Sequence, residues 1–305
     1  MINPLVGALL AAAISVSLLP VKAVAAEAAL TPVSIASLIR DSNVRAPNLR
    51  SSSALLIDES EGVVLYEQNS DEQRPIASIT KVMTAMVTLD AGLPMDERIR
   101  ITNEDRDRLR GSKSRLPIGA VFTRRDLLAA ALAASDNRAA AALGRTYPGG
   151  LEAMLRAMNE KARALGMNAT RFSDTSGLSS KNVSTARDLA IMVDAANGYK
   201  TIKSLSTLAA FKVTNFAKGK ARVIEFKNTN RLVRANSWDI HLSKTGYTSD
   251  AGNCLVMRTK IGSRPVTIVL LNSWGKMSRY GDSQRLRDWL MKAERRAQKQ
   301  VASAA

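Results

Sequence analysis

The chain has 305 residues, with 44 lysines and arginines against 27 aspartates and glutamates and a formal net charge of +17. This length allows one large domain or two modest ones with a sizeable core, and a hydrophobic content of 46% excludes a largely disordered chain. A single cysteine and a single histidine exclude a disulfide scaffold, a cysteine-based zinc site and a histidine-rich metal site.

The amino-terminal segment has the pattern of an export signal. Residues 4–19 form an apolar run of about 16 residues, which is too short to span a bilayer comfortably. Ala23-Val24-Ala25 follows as a small-x-small cleavage site, although no lysine or arginine precedes the run. We therefore expect residues 1–25 to be a signal peptide and residues 26–50 to be an extension, with an uncleaved anchor as the alternative.

The positive charge favours anionic partners, such as anionic lipid or an acidic cell-wall polymer. Export argues against nucleic acid, and the basic residues lack the interleaved aromatic residues of single-strand binders. We expect a solvated basic surface and no nucleic-acid partner.

Hydrophobic periodicity predicts strands, then helices, then strands again. Residues 54–69 predict a hairpin. Residues 76–87 are apolar on nearly every face, which predicts a buried central helix with Pro75 in its first turn. Residues 125–142 and 151–165 continue the helical pattern. Alternation typical of strands follows at 212–216, 240–244, 254–259 and 266–271.

A last helix is predicted near the end of the chain, where Asp282 or Ser283 can cap it. Its apolar residues form one stripe, which consists of Leu286, Trp289, Leu290, Ala293 and Ala297. We expect this helix to cover a sheet face, with docking on an anionic membrane as the alternative.

The order of these elements predicts an α+β fold. We expect an antiparallel sheet flanked by helices, with an all-helical subdomain inserted between its two halves. One domain spans residues 51–300 and is followed by a tail at 301–305. Residues 51–90 and 206–300 are its α/β part, and residues 91–205 are its mainly helical part.

Ser78 and Lys81 are the first candidates for chemistry. Side chains three residues apart on a helix share one face. Burial of a lysine is costly and lowers its pKa, so an amine in this apolar helix would be able to take a proton from a serine hydroxyl. A Ser-x-x-Lys tetrad alone is a weak signal, because it occurs by chance in many chains.

Two further motifs strengthen this signal. Ser135-Asp136-Asn137 follows the apolar helix at residues 127–134, and Lys244-Thr245-Gly246 ends a predicted strand. Each has an ordinary explanation by itself, as turn residues, a surface charge or a bulge. In this order, and in helix, loop and strand contexts, Ser-x-x-Lys, Ser-x-Asn and Lys-Thr-Gly form the motif set of penicillin-binding proteins and class A β-lactamases.

Shorter segments extend the match over nearly the whole mature chain. They are Asp174-Thr175-Ser176-Gly177-Leu178, Asn182-Val183-Ser184-Thr185-Ala186, Lys227-Asn228-Thr229-Asn230 and Lys244-Thr245-Gly246-Tyr247-Thr248. With these segments the sequence resembles low-molecular-mass penicillin-binding proteins, the D-alanyl-D-alanine carboxypeptidase and endopeptidase family. The resemblance implies a penicillin-binding protein or β-lactamase-like serine transpeptidase fold.

Within that family, the outline is closer to the short endopeptidases than to carboxypeptidases with a further β-rich domain and an anchor, since one helix follows the last motif. No Glu-x-x-Leu-Asn element lies between the second and third motifs, so we expect no efficient β-lactam hydrolysis.

The resemblance implies acyl transfer through a covalent ester on Ser78, with Lys81 as general base and Ser135 as proton relay. It implies substrate binding by Asn137, Lys244, Thr245, Gly246 and Tyr247. The backbone amides of Ser78 and Tyr247 would bind the oxyanion. It also implies peptidoglycan peptides as substrates, β-lactams as covalent inhibitors, no cofactor or metal, and a monomeric periplasmic enzyme.

Two alternatives to hydrolysis of D-Ala–diaminopimelate cross-links remain open at this point. One is a carboxypeptidase that trims stem pentapeptides, and the other is a penicillin-acylated wall-binding module with little turnover.

A serine triad would depend on His241. Strand alternation places this residue on the face opposite Lys244, and it is interpreted as structural. Cys254 is interpreted as a small buried hydrophobe.

Overall fold

The alternating segments at the two ends of the domain pair into one antiparallel sheet. The computed structural model describes residues 34–40, 42–217 and 222–304, and the signal peptide expected at 1–25 lies outside them. The strands are β1 (Ser51–Asp58), β2 (Val63–Gln68), β3 (Arg74–Pro75), β4 (Arg98–Arg100), β5 (Val121–Thr123), β6 (Val183–Ser184), β7 (Ala210–Asn215), β8 (Arg222–Lys227), β9 (Asp239–Thr248), β10 (Gly252–Ile261) and β11 (Arg264–Ser273). The main sheet has the order β2-β1-β11-β10-β9, so β9 is an edge strand.

Helices cover both faces of this sheet. They are α1 (Ile35–Arg40), α2 (Thr80–Asp90), α3 (Arg124–Leu132), α4 (Asn137–Arg145), α5 (Gly150–Ala164), α6 (Ala186–Asn197), α7 (Lys200–Ser206), α8 (Arg231–Ala235) and α9 (Ser278–Ala304). On one face α9 packs against β1, β10 and β11, and on the other α6 packs against the same three strands. This arrangement confirms the predicted α+β architecture.

The predicted apolar stripe of the last helix is buried against the sheet. Its members Leu286, Leu290, Ala293 and Ala297 have no exposed surface, and Trp289 is 8% exposed. Full burial of a leucine side chain contributes about 1.5–3 kcal/mol to folding. The stripe is therefore a principal attachment of α9 to the sheet.

The start of α9 differs from the prediction. The helix begins at Ser278, and Asp282 is a fully buried residue of its second turn. The Asp282 carboxylate accepts hydrogen bonds from the backbone amides of Arg50 and Ser51 and from the Ser51 hydroxyl. Asp282 therefore anchors the beginning of β1 to α9, a long-range role that a capping pattern does not reveal.

The central helix α2 also starts later than predicted. Pro75 lies in the short strand β3, which pairs with β6, and a 3-10 turn at Ala77–Ile79 precedes the helix at Thr80. The pairing partner of β3 lies more than 100 residues further along the chain. The chain is therefore held extended at Pro75 by a contact that the local pattern does not show.

The inserted part contains helices and short strands. The predicted helix at 125–142 is divided into α3 and α4 by a turn that contains Ser135 and Asp136. Short pairs β4–β5 and β7–β8 lie outside the main sheet. The β7–β8 hairpin is attached to the helices by buried Val213 and Phe226, which belong to the same core.

Among the described residues, no helix is both long and apolar enough to span a membrane.

Candidate active site

Ser78 lies in the 3-10 turn that precedes α2. Two glycines confine this turn: a Cβ on Gly177 would lie 1.9 Å from the carbonyl oxygen of Ala77, and one on Gly246 would lie 3.1 Å from the Ser78 nitrogen. Ala77 adopts a φ of +48°, a conformation that residues with a side chain rarely hold. The surrounding backbone therefore fixes the turn in a strained conformation and with it the position of Ser78.

The amine of Lys81 is the centre of a buried polar cluster. Lys81 has no exposed surface, and its Nζ lies 2.9 Å from Ser78 Oγ. The same nitrogen donates to Asn137 Oδ1 at 2.7 Å and to the carbonyl oxygen of Ser176 at 2.5 Å. Residues from the 3-10 turn, from α4 and from the loop before β6 therefore meet at this one amine.

The pKa of Lys81 is lowered to about 7 because burial disfavours the charged ammonium. The negative charges of Asp174, Asp136 and Asp107 act in the opposite direction and limit the shift. Near neutral pH, a large share of the molecules therefore has an uncharged amine beside Ser78, and an uncharged amine is able to accept a proton.

Ser135 lies in the turn between α3 and α4 with a φ of +59°. The following residue, Asp136, caps α4 by accepting a hydrogen bond from the amide of Ala139 at 3.0 Å. The hydroxyl of Ser135 accepts a hydrogen bond from Lys244 Nζ at 2.9 Å, across the gap to β9. The Ser-x-Asn motif is therefore the point where the helical part meets the edge strand.

Lys244 is a second buried amine, with 1% of its surface exposed. Burial lowers the pKa of Lys244 well below its usual value, and the positive charges of Lys81 and Arg279 lower it further. Lys244 Nζ also donates to the carbonyl oxygen of Thr245 at 2.8 Å. An anionic group placed beside Lys244 would act against this shift, because a nearby negative charge favours the ammonium form.

The Lys-Thr-Gly motif lies within β9, and not at the end of its strand as predicted. The strand continues to Thr248 because residues 246–248 pair with residues 252–254 of β10. Thr245 Oγ1 lies 2.6 Å from Thr229 Oγ1, and the carbonyl oxygen of Gly246 accepts a hydrogen bond from Arg279 at 2.8 Å. The side chain of Tyr247 is 63% exposed.

Asp174 is a structural residue of the site whose role the sequence did not reveal. Its carboxylate accepts hydrogen bonds from the amides of Ser176, Gly177 and Ser179 at 2.6, 2.5 and 2.7 Å. These contacts hold the Ser176 carbonyl against Lys81 and Gly177 against the turn of Ser78. The signal in the sequence is the Asp-Thr-Ser-Gly-Leu segment at residues 174–178, whose backbone the Asp174 carboxylate holds through these hydrogen bonds.

The loop before β5 contributes two contacts that no motif indicated. Ser112 Oγ accepts a hydrogen bond from Asn137 Nδ2 at 2.8 Å, and Ser114 Oγ donates to the carboxylate of Asp136 at 2.8 Å. Asp107 shapes the loop by accepting from the amide of Ser112 at 2.8 Å. Because the serines belong to an irregular polar loop, their sequence context resembled any surface turn.

His241 and Cys254 contact other parts of the protein. The imidazole Nε2 of His241 lies 3.3 Å from Asp239 Oδ1 on the same strand. Cys254 is a fully buried residue of β10, and burial raises the pKa of its thiol to about 11. Among the described residues, no group of three or more histidine, cysteine, aspartate or glutamate side chains could hold a metal ion.

Comparisons with known proteins identify the family to which the chain belongs. The family model described as D-alanyl-D-alanine carboxypeptidase matches residues 40–275. A D-alanyl-D-alanine endopeptidase of Pseudomonas aeruginosa is 48% identical, over 79% of this chain and 77% of the relative. A D-alanyl-D-alanine endopeptidase of Escherichia coli is 43% identical, over 85% of this chain and 83% of the relative.

Solved structures show the same fold. The DD-transpeptidase of Streptomyces K15 has a TM-score of 0.77 at 27% identity, and the match covers 82% of this chain and all of that one. Penicillin-binding protein D2 of Listeria monocytogenes in its ampicillin-bound form has a TM-score of 0.68 at 27% identity, over 82% of this chain and 99% of the other. Together with the order of its three motifs, these matches place the chain in the D-alanyl-D-alanine carboxypeptidase family of serine peptidases.

Proposed function

We propose that this protein is an exported D,D-endopeptidase that hydrolyses D-Ala–diaminopimelate cross-links of peptidoglycan through an acyl-enzyme on Ser78. The observation that carries the proposal is the buried Lys81 amine, 2.9 Å from Ser78 Oγ and with a pKa of about 7. Among the described residues, one other hydroxyl is hydrogen-bonded to a buried lysine amine: that of Ser135, which contacts Lys244 Nζ.

Acylation begins with proton transfer from Ser78 Oγ to the neutral Nζ of Lys81. The oxygen attacks the carbonyl carbon of the D-alanyl residue, and the developing oxyanion is bound by the backbone amides of Ser78 and Tyr247. Each such donor typically contributes about 3 kcal/mol to the transition state. The close approach of Gly246 to the Ser78 nitrogen supports this pairing of amides from the turn and from β9.

Collapse of the tetrahedral intermediate breaks the carbon–nitrogen bond, and the leaving amine must gain a proton. We assign its relay to the hydroxyl of Ser135, which Lys244 Nζ contacts at 2.9 Å. The proton that Lys81 took from Ser78 passes through this hydroxyl to the leaving amine, and Lys81 becomes neutral again. Water then attacks the ester, which releases the D-alanyl carboxylate and regenerates the Ser78 hydroxyl. Lys81 serves as base in both halves of the reaction.

Substrate binding uses the free edge of the sheet. An extended peptide would add to β9 as a further strand, with the amide of Asn137 bonded to the peptide from the other side. Lys244 and Thr245 would bind the carboxylate of the residue that leaves. The partly buried Arg279 adds positive charge there, since it already contacts the Gly246 carbonyl oxygen at 2.8 Å.

The endopeptidase assignment is supported by the named relatives. Three relatives named D-alanyl-D-alanine endopeptidase are 39–48% identical to this chain, whereas four relatives named D-alanyl-D-alanine carboxypeptidase are 28–34% identical. Carboxypeptidase activity is the second candidate, because the matching family model carries that description. Both reactions use the same acyl-enzyme and differ in the leaving group.

Two experiments test the proposal. Incubation with benzylpenicillin should give one covalent adduct, which mass spectrometry places on the peptide that contains Ser78. Absence of any adduct would remove the acyl-enzyme mechanism. Digestion of purified cross-linked muropeptides separates the candidates, since a loss of dimers indicates an endopeptidase and shortened monomers indicate a carboxypeptidase. A stable adduct without hydrolysis of either substrate would indicate a wall-binding module.

Matched variants assign the nucleophile. Ser78→Ala should abolish both the adduct and the hydrolysis of dimers, whereas His241→Ala should retain both. The opposite pattern would show that a histidine-based triad carries the reaction.

Cell fractionation tests the proposed location, with the mature protein expected in the periplasm without about its first 25 residues.

A further inference from the structure

A cavity of about 350 Å³ lies beside the β7–β8 hairpin. Its lining includes Arg115 from the loop before β5 and residues of both strands of the hairpin. Phe211 and Phe226 stack with their ring centroids 5.2 Å apart, and the guanidinium carbon of Arg115 lies 6.0 Å from the centroid of Phe226. The cavity is therefore lined by a stacked aromatic pair and by a cationic side chain.

The cavity is predominantly basic. Arg115, Lys212 and Lys227 contribute three positive charges, against one negative charge from Glu225. These four side chains are all exposed. The Lys212 ammonium lies 3.2 Å from the Glu225 carboxylate, so Arg115 and Lys227 keep a net positive field. Arg115 is held in place by its hydrogen bond to the carbonyl oxygen of Glu225 at 2.7 Å.

Both walls of this basic cavity adjoin, along the chain, residues that contact the candidate active site. Arg115 follows Ser114, whose hydroxyl binds Asp136 next to the Ser-x-Asn serine. Lys227 precedes Thr229 by two residues, and Thr229 contacts Thr245 of β9 at 2.6 Å. Two residues of chain span at most about 7 Å. The cavity therefore borders the end of the site at which the proposed leaving group departs.

We propose that this basic cavity is a subsite for the leaving stem peptide of a cross-linked substrate, and that it binds the carboxylates of that peptide. The inference rests on the proposed function, which makes a stem peptide the leaving group. Hydrolysis of a D-Ala–diaminopimelate bond releases a peptide with several carboxylates, and Lys244 and Thr245 engage only the one beside the broken bond. The remaining carboxylates match the charges of Arg115 and Lys227.

The subsite would distinguish cross-linked from uncross-linked substrates. The leaving group of a carboxypeptidase reaction is a single D-alanine, whose one carboxylate is used at β9. It is too short to extend into the cavity. Benzylpenicillin likewise has no peptide stem on that side. Only a cross-linked dimer therefore gains binding free energy from Arg115 and Lys227.

Steady-state kinetics with purified muropeptide dimers test the proposal. Arg115→Gln and Lys227→Gln should each raise KM about three-fold, and the double variant about ten-fold, with kcat retained, since exposed charge pairs have effects of this size. Glu225→Gln should lower KM, because it removes the opposing charge. The difference between wild type and the double variant should shrink at high salt.

Three controls separate this proposal from the proposed function. Acylation by benzylpenicillin and release of D-alanine from a pentapeptide should be unchanged in all variants, and Lys292→Gln on α9 should leave KM for dimers unchanged. An unchanged KM for dimers in the double variant overturns the subsite. A wild-type protein that leaves dimers intact overturns the endopeptidase reaction. The subsite is then tested by the dissociation constant of intact dimers from Ser78→Ala protein, with and without the double substitution. An equal constant for the two proteins overturns the subsite.

Discussion

Gly177 should be essential for the reactivity of Ser78 without being part of the chemistry. A Cβ at this position would lie 1.9 Å from the carbonyl oxygen and 2.3 Å from the carbonyl carbon of Ala77. Real Cβ atoms stay at least 3.0 Å from such atoms, so Gly177→Ala must separate the loop and the turn by at least 1.1 Å. The atoms that this Cβ would meet belong to the backbone of Ala77 and Ser78, so the clash cannot be relieved by the rotation of a neighbouring side chain.

The displaced atoms are those that position the nucleophile. A misplacement of about 1 Å in an active site lowers rates about 100-fold. We therefore expect Gly177→Ala to reduce the second-order rate constant of benzylpenicillin acylation by at least about 100-fold. The assay is the time course of covalent adduct at several penicillin concentrations, measured by intact-protein mass spectrometry.

Gly166 provides a matched control. Its φ of +80° is close to the +83° of Gly177, but nothing lies within 4 Å of a Cβ added there. Gly166→Ala therefore introduces the same backbone strain, about 1–3 kcal/mol, without the clash. It should lower the melting temperature and leave the acylation rate unchanged. A Gly177→Ala protein that is folded and acylates at the wild-type rate would refute the reasoning.

Three further predictions concern the environment of Lys81. Acylation should increase with pH through a midpoint of about 7, because the amine must lose its proton to act as a base; a flat profile between pH 5 and 9 would contradict this role. Asp174→Asn should move that midpoint to lower pH, since it removes the negative charge that most favours the ammonium; a midpoint at higher pH would contradict the electrostatic argument. Asn137→Ala should lower kcat/KM for dimers about 100-fold, measured by chromatography of products, because it removes a hydrogen-bond partner of the amine and the proposed contact to the substrate. Ala139→Gly on the same helix serves as its control for lost helix stability.

Local pattern was sufficient for most of the secondary structure and for the enzyme family. Residues 54–69 were identified as a hairpin because strand alternation and turn residues are properties of neighbouring positions. The last helix was identified from its apolar stripe, all of which is buried. The three motifs indicated the family because residue type and spacing alone define them, whatever the distances between them in space.

The sequence by itself therefore determined the fold class, the family and the candidate residues Ser78, Lys81, Ser135 and Lys244. Only the tertiary structure decided how their environment is built. The 3-10 turn of Ser78 is fixed between β9 and the loop of Gly177, and the pKa of Lys81 results from its burial among three separate segments. Such effects depend on contacts between residues up to about 170 positions apart, and desolvation acts through every atom that excludes water, so no local spacing encodes them.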